Sequence, residues 1–139
     1  MLRRKTVFVV DDDPSMLTSI GRLLTQLRFD PVLFNSAEAL RRHEKLDQAF
    51  CIVLDINLGD GVSGIELRRW LASRVTLPVI FVTGNDEHAT HKAALQSGCI
   101  AYLRKPFSTK SLIEAIQSAS TGPATQHATW RDNSRLDAD

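Results

Sequence analysis

The stretch Thr6-Val7-Phe8-Val9-Val10-Asp11-Asp12-Asp13-Pro14 decides the fold. Its first five residues form a short, mostly apolar run, which is typical of a buried strand in a parallel sheet. Asp13 can cap a helix, and Pro14 is favoured in the first helical turn. The stretch therefore predicts a strand that leads directly into a helix, with the carboxylates of Asp11 and Asp12 at the carboxyl end of the strand.

Three further apolar runs end in the same way, on a polar residue. Residues 51–54 lead into Asp55, residues 79–82 into Thr83, and residues 100–104 into Lys105. A weaker run at residues 29–34 contains Pro31, which favours an edge strand. Helical patterns follow each run, at about residues 14–27, 36–45, 63–73, 86–97 and 108–120. The chain is thus predicted to be a (βα)5 domain of the α/β class.

Five parallel strands joined by right-handed crossovers favour a doubly wound sheet of order 2-1-3-4-5, the flavodoxin-like order. Strand 1 then lies beside strand 3, and strand 3 beside strand 4. Ligands of such sheets collect at the carboxyl ends of the strands, where the winding reverses. This order predicts that one site collects Asp11, Asp12, Asp55 and Thr83, with Lys105 entering from strand 5.

Composition narrows the class of protein. The chain has 139 residues, 43% of them hydrophobic, and a net charge of +1. So small a net charge gives no electrostatic field that would favour binding to nucleic acid or to an anionic membrane. No apolar stretch reaches the roughly eighteen residues of a membrane span. We expect a cytoplasmic protein with a folded domain over residues 1–122 and a mobile tail or linker stub over 123–139, unless Trp130 pins that tail. Cys51 and Cys99 are expected to be reduced core thiols.

The acidic residues require a counter-charge. Each pair of carboxylates about 5 Å apart repels by roughly 3 kcal/mol at an effective dielectric constant near 20. Oxygen ligands at a half-open site suit Mg²⁺, which binds through one or two carboxylates and shares its remaining positions with water and phosphate. Lys105 adds a mobile positive charge that can pair with a carboxylate or with a phosphoryl oxygen.

These residues give the chain its resemblance to a known family. The acidic pair Asp11-Asp12, Asp55, Thr83 and the dipeptide Lys105-Pro106 each follow an apolar strand, and together they resemble the CheY-like receiver domain of two-component response regulators over residues 6–121. The resemblance implies a signalling phosphoacceptor rather than an enzyme. In this family a sensor histidine kinase or a histidine phosphotransfer protein donates the phosphoryl group, here to Asp55.

The resemblance also implies roles for the other residues. Mg²⁺, or Mn²⁺ in its place, would be held by Asp12, Asp55 and the backbone carbonyl of Asn57, with Asp11 acting through water. Thr83, the backbone of Gly84 and Lys105 would contact the phosphoryl oxygens, and the bond before Pro106 would be cis. Thr83 and Tyr102 would form a switch that remodels the face of helix 4, strand 5 and helix 5, where an output protein or a second copy binds.

The chain departs from the family pattern in the loop after Asp55. The loop is one residue longer than usual and has Gly59 in place of the usual proline, which predicts a more flexible loop. Gly84 is expected to leave room above the site. Asn57 and Asn85 would line the approach of water to a phosphoryl group, and a purely structural loop role for Asn85 is an equally good interpretation. His88 and His91, three residues apart on helix 4, could pair on a metal ion, but without a carboxylate partner they are expected on a solvated helix face.

Three alternatives bear on function. An aspartyl-nucleophile phosphohydrolase dependent on Mg²⁺, of the haloacid-dehalogenase kind, would need a second carboxylate two residues after the nucleophile, where Asn57 stands. A flavin mononucleotide site would need a neutral, hydroxyl-rich first loop, and the three aspartates would repel the phosphate. The remaining alternative is the receiver half of a longer DNA-binding transcription regulator, although residues 1–139 show no DNA-reading helix.

Overall fold

The computed structural model describes residues 4–59, 61–84 and 88–121. The strands are β1 (Thr6–Val10), β2 (Asp30–Phe34), β3 (Cys51–Asp55), β4 (Val79–Thr83) and β5 (Ala101–Arg104). The helices are α1 (Pro14–Gln26), α2 (Ala37–Arg41), α3 (Gly64–Ala72), α4 (His88–Gln96) and α5 (Thr109–Ser118), with short 3-10 turns at Leu46–Gln48 and Ala119–Thr121. The tail at 123–139 lies outside the described residues, so its predicted mobility and the role of Trp130 remain predictions.

The five strands form one parallel sheet of order β2-β1-β3-β4-β5, as the sequence predicts. The strand that contains Pro31 lies at the edge, where a missing N–H donor is tolerated. The central strand β3 is buried along its whole length. Its neighbours are β1, with Val10 opposite Leu54, and β4, with Val82 opposite Asp55.

Two apolar clusters cover the two faces of the sheet. One packs alternate strand residues such as Val9 and Val53 against α1 and α5. The other packs the intervening residues, such as Phe8 and Ile52, against α2, α3 and α4. Helices on both faces make the fold doubly wound, as predicted, and leave the carboxyl ends of the strands accessible.

The helix starts follow the capping residues of the sequence. The Asp13 carboxylate accepts a hydrogen bond of 2.9 Å from the backbone N–H of Ser15, and Pro14 opens α1. Ser63 caps α3 by accepting from the N–H of Ile65 at 3.1 Å. Both interactions satisfy backbone donors that have no partner within the helix.

The prediction for helix 2 was wrong in its length, because α2 ends at Arg41 rather than near residue 45. Beyond it, the ring of His43 packs edge-on against Phe8 and Phe34, each with a centroid separation of 5.3 Å. This packing turns the chain out of the helical path and ties the connection to the core.

Both cysteines are buried and free, as predicted. Cys51 lies on β3, and Cys99 lies just before β5, with β4 between the two strands. Burial raises the pKa of each thiol to about 12, so both are neutral at pH 7 and act as core side chains.

Candidate functional site

Three carboxylates meet at the carboxyl end of the sheet. Asp11 directly follows β1 and Asp55 ends β3, and the pairing of Val10 with Leu54 brings these two aspartates level with each other. Oxygens of Asp11, Asp12 and Asp55 lie within 4.8 Å of one another. The site is therefore formed at the reversal of winding between β1 and β3, as the predicted order requires.

Backbone hydrogen bonds fix the orientation of the two buried carboxylates. The N–H of Asp13 donates to Oδ1 of Asp11 at 2.9 Å, and the N–H of Asn57 donates to Oδ1 of Asp55 at 3.1 Å. In each case a turn of two residues closes on the side chain and leaves Oδ2 directed toward the shared site. Among the residues that the structure describes, no backbone N–H holds Asp12 in this way, and Asp12 is exposed.

Lys105 bridges the two buried carboxylates. Its Nζ lies 3.1 Å from Oδ2 of Asp11 and 3.1 Å from Oδ2 of Asp55. Lys105 follows β5, and its backbone N–H donates to the carbonyl of Thr83 at 2.8 Å. The Lys105–Pro106 bond is cis, as the resemblance implies. The long lysine side chain thus crosses above the end of β4 to reach the acidic residues.

The charges at the site are not balanced. Burial, followed by the nearby charge of Asp11, raises the pKa of Asp55 from 3.8 to about 6, although Lys105 and the N–H of Asn57 act in the opposite direction. The pKa of Lys105 is also raised, since attraction by Asp55 and Asp11 outweighs its own burial. One ammonium is shared by two buried carboxylates, and Asp12 adds a third negative charge.

The residues fit a divalent cation. The three carboxylates offer hard oxygen donors and have an excess of negative charge, the donor set that Mg²⁺ and Mn²⁺ prefer. They open into a cleft of about 620 Å³, which leaves space for water and a phosphoryl group. The residues that line the cleft are Asp11, Asp12, Asp13, Asp55, Asn57, Gly59, Thr83, Gly84 and Lys105.

The structure places the other residues predicted for this site as follows. Thr83 is fully buried at the end of β4 and lines the cleft, while the Cβ position of Gly84 has no atom within 4 Å from the part of the chain that the structure describes, its chain neighbours aside. Gly84 therefore leaves open space above the site, as expected. Asn57 lines the same cleft, and its Oδ1 accepts a hydrogen bond from the N–H of Gly59 at 3.2 Å. Asn85 lies outside the described residues.

The interpretation of His91 as part of a solvated face was wrong. Its ring stacks on that of Tyr102, with centroids 4.4 Å apart and an interplanar angle of 24°. Tyr102 itself is only 1% exposed. A sequence signal was available, because His91 precedes the buried Ala94 by three residues and so shares its face of α4. The side chain of His88 lies outside the described residues.

The closeness of Gly59 to Asp12 was not predicted from the sequence. Gly59 has a φ of +78°, and a Cβ on it would lie 2.6 Å from Oδ2 of Asp12. The sequence has glycine here in place of the usual proline, but the closeness of position 59 to a candidate ligand depends on the path of the loop.

Comparison with known proteins relates the chain to response regulators. A family model described as the response regulator receiver domain matches residues 7–117. Nodulation protein W of Bradyrhizobium diazoefficiens is 34% identical over 115 residues, covering 82% of this chain and 50% of that protein. The transcriptional regulatory protein FixJ of the same species is 31% identical over 120 residues, covering 86% and 58%. The chain thus spans about half the length of these relatives.

Solved structures show the same fold. A response regulator receiver protein from Pseudoalteromonas atlantica has a TM-score of 0.78 and 26% identity, covering 84% of this chain and 98% of that one. The structure described as FixJ-N has a TM-score of 0.77 and 31% identity, covering 86% and 96%. Among the described residues, none of the helices has the length and apolar character needed to cross a membrane.

Proposed function

This chain belongs to the response regulator receiver domain family, and we propose that it is a phosphoacceptor that receives a phosphoryl group on Asp55 from the phosphohistidine of a sensor histidine kinase or a histidine phosphotransfer protein. The observation that carries the proposal is the pairing of Asp55 with Lys105 at 3.1 Å, beside Asp11 and Asp12. It joins a candidate nucleophile, a positive charge and an acidic pair suited to a metal ion at one edge of the sheet, where the carboxyl ends of β1, β3 and β5 lie. The proposed location is the cytoplasm.

The proposed metal ligands are Asp12, Asp55 and the backbone carbonyl of Asn57, with Asp11 holding Mg²⁺ or Mn²⁺ through water. A bound divalent cation supplies stabilisation of the negative charge that develops on the phosphoryl oxygens. Asp12 is the exposed member of the cluster and can meet an ion that enters from the open side of the cleft, whereas Asp11 is buried and shares Lys105 with Asp55.

In the proposed reaction an oxygen of Asp55 forms a bond to phosphorus while the bond from phosphorus to the donor's histidine nitrogen breaks. The imidazole keeps the electron pair of the broken bond. A carboxylate that is already ionised needs no general base, and Asp55 is mostly ionised at pH 7 with a pKa of about 6. Lys105 can exchange a carboxylate oxygen for a phosphoryl oxygen without a large movement, since its ammonium already contacts Asp55. The backbone of Gly84 adds a further contact to the phosphoryl group.

The proposed output is a switch between two conformations. A phosphoryl group on Asp55 would attract the hydroxyl of Thr83, which vacates space for Tyr102. Tyr102 is buried in the structure and stacks on His91 of α4, so a change at Tyr102 reaches α4 directly. We propose that the face of α4, β5 and α5 then binds an output protein or a second copy of this chain, with no direct contact to nucleic acid or membrane.

Phosphorylation with a small donor tests the central assignment. Acetyl phosphate with Mg²⁺ should add one phosphoryl group to the wild type, measured by intact-protein mass spectrometry, and none to Asp55→Asn. Asp47→Asn, which changes an exposed aspartate in a 3-10 turn, is the matched control and should be labelled like the wild type. Labelling of Asp55→Asn at the wild-type yield would refute the assignment.

A second candidate concerns the protein to which this domain belongs. The chain covers only 50% of the transcriptional regulatory protein TdiR of Thauera aromatica and 58% of FixJ. These relatives favour the proposal that the domain works as the receiver part of a longer DNA-binding regulator. Mass spectrometry of the native protein tests this: a mass of 15.5 kDa would support a separate receiver, and a larger mass would support the longer regulator.

A further inference from the structure

The loop between β3 and α3 is closed by its own hydrogen bonds. The N–H of Leu58 donates to the carbonyl of Val62 at 3.1 Å, and the N–H of Val62 donates to the carbonyl of Gly59 at 2.9 Å. Asn57 and Ser63 form an antiparallel bridge at the base of the loop. The position of Gly59 is therefore set by the loop and by the end of the central strand.

Gly59 contacts the side chains of the two residues proposed to complete the metal site beside Asp55, Asn57 and Asp12. Its N–H donates to Oδ1 of Asn57 at 3.2 Å. Its Cα faces Asp12 so closely that an added Cβ would lie 2.6 Å from Oδ2, well inside the normal contact distance. Only glycine leaves the Asp12 carboxylate in its present place.

We propose that Gly59 is a positioning residue that sets the affinity of the site for Mg²⁺, because its bare backbone lets Asp12 lie against the loop. This inference rests on the proposed function. A side chain at position 59 would meet the far end of an exposed, short side chain rather than the core. The clash would be relieved by rotation of Asp12, so the fold would persist while the metal ligand moves away.

The chain provides a matched control for the strain of the backbone. Gly61 lies in the same loop with a φ of +76°, close to the +78° of Gly59, but among the described residues no atom beyond its chain neighbours would lie within 4 Å of a Cβ on Gly61. Alanine at either position should lower the stability of the fold by a similar amount, because an L-residue disfavours the left-handed conformation. The difference between the two variants therefore isolates the contact with Asp12.

The experiment titrates Mg²⁺ into the full chain and follows the backbone amide shifts of Asp12 and Asp55 by NMR. Gly59→Ala should raise the dissociation constant about tenfold or more, the usual effect of losing a group that orients a metal ligand. Gly61→Ala should bind Mg²⁺ like the wild type. Urea unfolding without Mg²⁺ should show similar losses of stability in both variants, which confirms that both are folded and equally strained.

A double-mutant cycle separates positioning of Asp12 from a general effect on the loop. In an Asp12→Ala background, Gly59→Ala should have no further effect on Mg²⁺ affinity, because the displaced ligand is already absent. An equal loss of affinity in both backgrounds, or equal affinities of Gly59→Ala and Gly61→Ala, would overturn the role of Gly59 and leave the proposed function intact. A wild type without Mg²⁺-dependent shifts at Asp12 and Asp55 would refute the metal site itself.

Discussion

Replacing the proposed nucleophile should stabilise the metal-free fold above neutral pH. The pKa of Asp55 is raised from 3.8 to about 6 by burial and by Asp11, so ionisation of this carboxyl disfavours the folded state. At 1.36 kcal/mol per pKa unit this difference amounts to about 3 kcal/mol. Water in the open cleft screens part of it, so we expect Asp55→Asn to gain about 2 kcal/mol at pH 8.

The pH dependence fixes the sign of this effect. Below pH 3.8 Asp55 is protonated in both the folded and unfolded states, so the variant and the wild type should be equally stable. As the pH rises through about 6, the wild type loses the stability associated with the protonated form, while asparagine cannot ionise. The difference in free energy of unfolding between Asp55→Asn and the wild type should therefore grow between pH 4 and pH 7 and remain constant above pH 7.

Urea unfolding in EDTA at pH 4, 5, 6, 7 and 8 measures the gap, with Asp47→Asn as the exposed control. Addition of Mg²⁺ at pH 8 should narrow the gap, since a ligand of the native state stabilises the wild type by mass action. An Asp55→Asn variant that is less stable than the wild type at pH 8 would refute the reasoning, because Lys105 would then outweigh burial and the repulsion by Asp11.

Two further outcomes test the ligands and the switch. Asp12→Ala should weaken Mg²⁺ binding more than Asp11→Ala, since a direct ligand is lost rather than one acting through water; equal affinities by calorimetric titration would contradict this ranking. Thr83→Ala should accept a phosphoryl group at Asp55 but fail to transmit it. With beryllofluoride, amide shifts at Tyr102 and in α4 should change in the wild type and stay unchanged in the variant.

The strand order and the membership of the site could be predicted because they depend on local patterns. Short apolar runs define the strands, and four of the five runs lead into a residue that enters the site. Parallel pairing then brings strand ends to one edge, so Asp11 and Asp55 meet through the pairing of Val10 with Leu54. The proposed roles of the site residues come from the resemblance to the family. Their placement at the carboxyl edge of the sheet follows from the alternation of strands and helices.

The remaining features depend on packing between distant segments, which a pattern along the chain does not encode. The early end of α2 results from His43 packing against Phe8 and Phe34. The stack of His91 on Tyr102 joins α4 to β5 across the core. Such contacts are set by side-chain directions after the elements have docked, so helical spacing predicts a face but does not identify the partner.

The charge imbalance at the site connects its stability with its chemistry. Lys105 alone cannot neutralise Asp11, Asp12 and Asp55, and the pKa of Asp55 stays raised, first by burial and second by the charge of Asp11. A site whose carboxylates were all neutralised by protein cations would be more stable. It would also have a lower affinity for a divalent ion, and its lysine would gain less by exchanging a carboxylate oxygen for a phosphoryl oxygen. A second lysine in the cleft should therefore stabilise the apo fold while it weakens Mg²⁺ binding. The destabilising charge is thus the feature that makes the proposed phosphoacceptor responsive to its ligands.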